Sequence, residues 1–175
     1  MPNLIKVDIS FDTIFCYSPH SALMSINSTN YVMGKSIEYP MLRPVCIVLK
    51  ELLKLHDLNK PFTGGISSFV VIIMILAFLK LSPVHTSPSK CLMALLCYYG
   101  SVFDYKTMII ANEEISFVYG SANDKLTIFH PLQPEINIAY NVTRFEEIRK
   151  CFMEGYRKIV RNEEEIKLDE LLAID

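Results

Sequence analysis

The sequence predicts an α+β chain that is mainly helical, and three observations carry that prediction. Apolar residues recur at helical spacing in several long stretches. Strict alternation is confined to a few short ones, and the stretch Phe69–Leu79 is apolar without a break.

The elements follow in order. In "LIKVDISF", Ile5, Val7, Ile9 and Phe11 point one way while Lys6, Asp8 and Ser10 point the other, which predicts a strand with one apolar face. Residues 12–38 are mixed, with a short helix expected around Ala22–Tyr31. Pro40 and Pro44 bracket a helix start, and from Leu42 the positions Val45, Cys46, Leu49, Leu52 and Leu53 keep the helical period to about His56. "DLNKPFTGG" is a loop. A hydrophobic helix runs from about Ile66 to Leu81 and, being apolar all round, belongs at the centre of the core. After the loop "SPVHTSPS", Pro88-Ser89 opens a helix through "KCLMALLCYYGSVF", with Gly100 near its end. "YKTMIIA" and "EISFVYG", joined by Asn112-Glu113, form a hairpin, and "KLTIFHPL" adds a short extended piece. Thr143-Arg-Phe-Glu146 is a capping-box pattern ahead of a helix that aligns Phe145, Ile148, Phe152, Tyr156 and Ile159. The tail "NEEEIKLDELLAID" is a final amphipathic helix or a frayed end. The first strand has no partner nearby, so it pairs with distant residues or its sheet lies outside this chain.

Composition narrows the function classes. A membrane span needs about 20 predominantly apolar residues. The apolar run is shorter, is closed by Lys80 and Pro83, and predicts a buried helix. The N-terminus lacks a basic-then-apolar signal pattern, so an intracellular chain with no membrane contact is expected. Across 175 residues the net charge is −2, so any polyanion must meet a local patch rather than a global field. Cys16, Cys46, Cys91, Cys97 and Cys151 form no CxxC pair and read as reduced, mostly buried thiols. The four histidines have no metal-ligand spacing.

Three features can carry chemistry. Arg43, Lys50 and Lys54 share one helical stripe with Ile47; they are either a solvated face, with Glu51 paired to Lys54, or a clamp for a polyphosphate. "TGGISSF" is either an ordinary helix cap or an anion site, in which Gly64 and Gly65 admit a ligand to the backbone and Ser67 and Ser68 add donors. Phe69 then sits where a ring can stack on a nucleobase, or else belongs to the core. Asp8, on the polar face of its strand, is either a solvated carboxylate or a metal ligand for phosphoryl transfer.

These features occur together and in a fixed order. "IKVDISF", then "YPMLRPVCIVLKELLKLHDLNKPFTGGISSFVVIIMILAFLK", then "YYGSVFDYKT", then "HPLQPE" resembles the non-canonical poly(A) polymerases of the topoisomerase-related (polymerase sigma) group, from about residue 4 to residue 160. The resemblance implies a remnant of a polymerase-β-like palm at residues 1–13 and a helical central and poly(A)-polymerase-associated domain at 14–175. It implies that Asp8 is the third catalytic carboxylate and a metal ligand, that Lys50, Lys54 and Ser68 hold the triphosphate, and that Phe69 stacks on the base in place of a tyrosine. Gly64, Gly65, Ser67 and Asn137 fall at positions around the nucleotide. The implied cofactor is Mg²⁺ or Mn²⁺, with the other carboxylates supplied by the absent palm. The implied partners are ATP or another NTP, an RNA 3′ end, and a zinc-knuckle RNA-binding protein with a helicase, in the nucleus or the cytoplasm, with the nucleus favoured.

The departures from the family pattern matter equally. The Gly-Ser motif and its two acidic residues are missing ahead of Asp8, which leads to the expectation of a fragment or shortened gene product that is inactive alone. Where the family reads roughly "DPLxPxNDVGRSS", this chain reads "HPLQPEINIAYNV": His130 replaces an aspartate, Ile136 a polar residue, and Ala139-Tyr140 a Gly-Arg pair. Two readings therefore stand, a template-independent RNA nucleotidyltransferase and a non-catalytic nucleotide-binding or protein-interaction module derived from one.

Overall fold

A computed structural model describes residues 19–83, 87–118 and 125–161, with side chains from residue 27 onward. The expected strand at 4–11, Asp8, the 1–13 segment and the acidic tail lie outside the described residues. The chain divides into two compact units, Met1–Glu38 and Tyr39–Asp175. In the first, helix α1 spans Pro19–Glu38, longer than the short helix expected around Ala22–Tyr31. Its last turn is closed by a Lys35–Glu38 ion pair at 2.9 Å.

The second unit is built on helices α2 (Leu42–Leu55), α3 (Ser68–Leu81), α4 (Pro88–Cys97) and α5 (Phe145–Arg161). As its composition requires, α3 occupies the centre: from Ile73 to Leu79 no residue is more than 4% exposed. Among the described residues no helix is long and apolar enough to cross a membrane. Leu42, Val45, Leu49, Leu52 and Leu53 form the inner face of α2, and Ile148, Cys151 and Phe152 that of α5. Each such side chain contributes about 1.5–3 kcal/mol by leaving water. A glycine at 155 lets α5 close on its neighbours, since a Cβ there would stand 3.3 Å from Leu52 and 3.4 Å from Leu96. Cys46, Cys91, Cys97 and Cys151 are free thiols; burial pushes Cys91 up to about 11 and Cys151 up to about 12.

Where the sequence suggests one helix through Gly100, the chain widens after Cys97 into a π-helical turn, Tyr98–Val102. Gly100 lies against the α5 backbone, where a Cβ would meet the Met153 nitrogen at 3.0 Å, and its carbonyl accepts from Arg149 Nε at 3.1 Å. The turn delivers Tyr99 to the core, where its hydroxyl donates to the Met74 carbonyl of α3 at 2.7 Å. Burial raises that phenol well above its ordinary pKa.

The β element is a four-stranded mixed sheet of order β2-β1-β3-β4. Strands β1 (Met108–Ala111) and β2 (Glu114–Phe117) make the expected hairpin. Its turn residues, Asn112 and Glu113, both have positive φ (51° and 59°), as a two-residue turn of this hand requires. Strand β3 (Thr127–His130) runs parallel to β1, and β4 (Gln133–Asn137) returns beside β3. The capping box at Thr143 does not form: α5 starts at Phe145, and it is Arg144 that pairs with Glu147, at 2.6 Å.

Lys80, at the end of α3, reaches the hairpin turn. Its ammonium pairs with Glu113 at 2.9 Å and donates to the Asn112 carbonyl at 3.1 Å. Glu113 is only 5% exposed, and burial, followed by the neighbouring Glu114, raises its carboxyl pKa. Lys80→Met removes that ammonium from the carboxylate and is expected to cost about 1–3 kcal/mol. A carboxyl whose folded pKa is raised stabilises the protein at low pH and loses that contribution as pH rises through the folded value. The deficit in denaturant melts is therefore expected to be larger at pH 8 than at pH 5 and to shrink in a Glu113→Gln background, where only the bond to the Asn112 carbonyl is lost. Equal deficits at both pH values would contradict this account of Lys80.

Candidate functional site

The site forms where α2 hands over to α3. The inward leucines of α2 leave Arg43, Ile47, Lys50 and Lys54 on the outer face. At the helix end, Asp57 takes a positive φ of 54°, and Leu58 turns back to be buried, its N–H donating to the Leu53 carbonyl at 2.8 Å. Lys60 pairs with Asp57 at 2.6 Å. A single 3₁₀ turn, Pro61–Thr63, leads to Gly64, whose φ of 81° is left-handed. Gly65 is packed so tightly that a Cβ would stand 2.4 Å from the Leu58 carbonyl oxygen. Ser67 then caps α3, its Oγ accepting from the Val70 N–H at 3.3 Å.

This turn sets Ser68, the first residue of α3, opposite the basic stripe of α2. Between them is a cavity of about 100 Å³. Its rim carries Lys50, Glu51, Lys54, Asn59 and Ser68, and its floor is Leu53, Ile66 and Val71. The cleft is partly open to solvent, and its ammonium, amide and hydroxyl groups suit an anionic group such as a phosphate. Glu51 places both carboxylate oxygens on the Lys54 ammonium, at 2.9 and 3.2 Å. The Lys50 ammonium, the Asn59 carboxamide and the Ser68 hydroxyl make no hydrogen bond or ion pair among the described residues, which leaves their donors to an anion. Lys54 is thus paired on the surface with Glu51, and the two lysines line one cavity with Ser68.

The other expected site residues stand elsewhere. Gly64 and Gly65 are buried, with the carbonyl of Gly64 accepting from the N–H groups of Thr143 and Arg144 at 3.1 and 3.0 Å. Their glycine character serves the approach of chain to chain. Ser67 is the cap. Phe69 is half-buried, with its ring centroid 5.2 Å from that of His130 at an interplanar angle of 36°. Desolvation lowers the His130 pKa, and its Nδ1 accepts from the Leu132 N–H at 3.1 Å, so the ring is a neutral companion to Phe69. Asn137 is committed to the sheet: its Oδ1 accepts from Ile128 and Ala139, and its Nδ2 donates to the Leu126 carbonyl. Asp8 lies outside the described residues. Among the described residues no group of His, Cys, Asp and Glu could hold a metal ion. The rim positions missed by sequence reasoning are Asn59, present only as part of the Leu-Asn pair, and Glu51, noted only as a partner of Lys54.

No protein-family model matches the chain. It is similar to the poly(A) RNA polymerase cid14 of Schizosaccharomyces pombe, 32% identical over 138 residues, which cover 74% of this chain and 19% of that protein. It is also similar to the poly(A) RNA polymerase gld-4 of Caenorhabditis elegans, 21% identical over 87% of this chain and 20% of the relative. A third relative, covering 55% of this chain and 25% of its own length at 29% identity, is the inactive non-canonical poly(A) RNA polymerase protein Trf4-2 of Drosophila melanogaster. The chain thus spans about a fifth of the length of the first two. Among solved structures, the polymerase core of TRAMP, an RNA surveillance complex, superposes with a TM-score of 0.66 over 85% of this chain and 50% of that one, at 17% identity. Cid1, described for its RNA terminal uridylyl transferase activity, gives 0.71 over 87% of this chain and 62% of that one, at 16% identity. The fold is that of these polymerase cores, and the homologues of the chain are non-canonical poly(A) polymerases.

Gly64→Ala is expected to destabilise the second unit by about 2 kcal/mol or more. The left-handed backbone costs about 1 kcal/mol with a Cβ, and the added carbon would stand 2.1 Å from Thr143 Oγ1. A thermal melt within 1 °C of the parent would show that the turn can relax.

Proposed function

We propose that this chain, as a homologue of non-canonical poly(A) polymerases, provides the nucleotide-binding part of a template-independent RNA 3′-end nucleotidyltransferase. The reaction is transfer of a nucleoside monophosphate, AMP from ATP in the first instance, onto an RNA 3′-hydroxyl, with release of pyrophosphate. The observation that carries the reading is the convergence of Lys50, Lys54 and Ser68 on one cavity. The two ammonium groups balance the charge of the phosphate tail, and the Ser68 hydroxyl, with the free N–H groups of the first turn of α3, donates to it. Phe69 is proposed to present its ring to the base, steadied by His130 behind it. Asp8 is proposed as a ligand of Mg²⁺ or Mn²⁺. The described residues alone do not suit a metal, so no step is assigned to them through one. RNA, and a separate RNA-binding protein and helicase, are proposed partners, with a nuclear site of action favoured by resemblance.

A second reading, a nucleotide-binding or protein-interaction module without catalysis, is supported by the likeness to Trf4-2 of Drosophila melanogaster, which is itself described as inactive.

Lys50→Ala is expected to weaken ATP binding about tenfold or more at low salt, since a charge-assisted contact contributes about 1.5–3 kcal/mol. Lys54→Ala is expected to cost less, about three- to tenfold, because Glu51 already offsets part of that charge. Both losses shrink as salt rises. Titration calorimetry showing unchanged affinity in both variants would remove the phosphate site.

With Asp8 as its single assigned carboxylate, the 175-residue chain is expected to leave an RNA primer unextended with ATP and Mg²⁺. Extension by purified chain that Asp8→Ala abolishes would establish catalysis in this chain instead.

A further inference from the structure

The cavity between α2 and α3 contains one group that works against a phosphate. Glu51 lines it beside Lys54, and both its oxygens sit on the Lys54 ammonium. Counted by formal charge, the rim holds two cations and one anion. An incoming phosphate must therefore take Lys54 from a carboxylate that is already seated, while Lys50 stands ready.

We infer that Glu51 is an affinity-setting counter-ion of the phosphate cavity: it occupies Lys54 in the free protein and yields it only to a ligand with enough negative charge to displace it. The inference rests on the proposed phosphate site and adds a residue that opposes binding. Three features support it. The pair is built within one helix at a spacing of three residues, so it re-forms whenever the ligand leaves. It is half-exposed, with relative side-chain exposures of 63% and 44%, so the bond is weak enough to be exchanged. The carboxylate also faces the site itself, so it repels the phosphate tail as well as competing for the lysine. An anion of one or two charges, such as orthophosphate, gains too little from Lys50 and Ser68 to overcome both effects, whereas a triphosphate brings several charges to the exchange. Glu51 thereby biases the site against orthophosphate and towards nucleoside triphosphates or inorganic triphosphate.

The test is a double-mutant cycle on the full chain, with ATP and inorganic triphosphate as probes at low salt. Glu51→Gln keeps the side-chain shape and removes the charge. It is expected to tighten binding of both probes about three- to tenfold and to raise affinity for orthophosphate by more; an equal gain for all three would remove the selectivity role. In a Lys54→Ala background the same substitution is expected to gain less, because only the direct repulsion of the phosphate tail is left to relieve. Glu51→Ala serves as a second variant, expected to act in the same direction, and melting curves check that each variant is folded. Unchanged or weaker binding of ATP by Glu51→Gln would overturn the inference, as would an equal gain with and without Lys54. If Lys50→Ala weakens ATP binding while Glu51→Gln leaves it unchanged, the phosphate site stands and only the role of Glu51 falls. If Lys50→Ala has no effect, the site and the inference fall together.

Discussion

The carbonyl of Gly64 holds the chain in the shape on which the site depends. It accepts two consecutive backbone N–H groups, from Thr143 and Arg144, and so ties the loop after α2 to the start of α5. Arg144 repeats the tie from its side chain, donating to the Asp57 carbonyl at 2.9 Å while its other nitrogens grip Glu147. Inside the loop, Gly65 N–H bonds to the Lys60 carbonyl and Ile66 N–H to that of Leu58, so the turn closes on itself. A backbone bond of this kind contributes only about 0.5–1.5 kcal/mol net. Together these bonds fix where α3 begins, and therefore whether Ser68 faces Lys50 or looks elsewhere.

The other half of the constraint is apolar. Because α3 is surrounded on every side, it has no freedom to roll or slide without opening cavities, each costing several kcal/mol in a packed interior. Its first turn is thus held by a rigid body. The basic stripe of α2 is held just as firmly, since the leucines opposite it are buried to 3% exposure or less. A binding site built between two such helices needs little ordering when a ligand arrives, which is how modest contacts can give useful affinity.

The helices were legible because burial leaves a period in the sequence. The cationic stripe of α2 and the all-round apolarity of α3 both translate directly into position. The hairpin was legible from its alternation and its two turn residues. What escaped did so for local reasons. Strand β4 contains Gln133, Pro134 and Glu135, with no alternation to mark it, and its pairing is completed by a side chain, Asn137 Oδ1 replacing a backbone acceptor for Ile128. The π-helical turn reads as ordinary helix, since one added residue per turn leaves no mark in composition. Gly64 and Gly65 read as room for a ligand but make room for Thr143 and the Leu58 carbonyl, a distinction that depends on a segment nearly 80 residues away. At the site, Lys50, Lys54 and Ser68 were legible as candidates, while Asn59 and Glu51 were visible only once the loop was folded back.

The central claim is that the stripe of α2 and the first turn of α3 act on one anion together. The most direct measurement is a two-dimensional amide NMR titration of the chain with inorganic triphosphate. The account predicts that the amides of Ser68, Phe69 and Val70 and those of residues 50–54 shift along one binding isotherm with one dissociation constant. Shifts confined to one of the two segments, or following two separate isotherms, would contradict it.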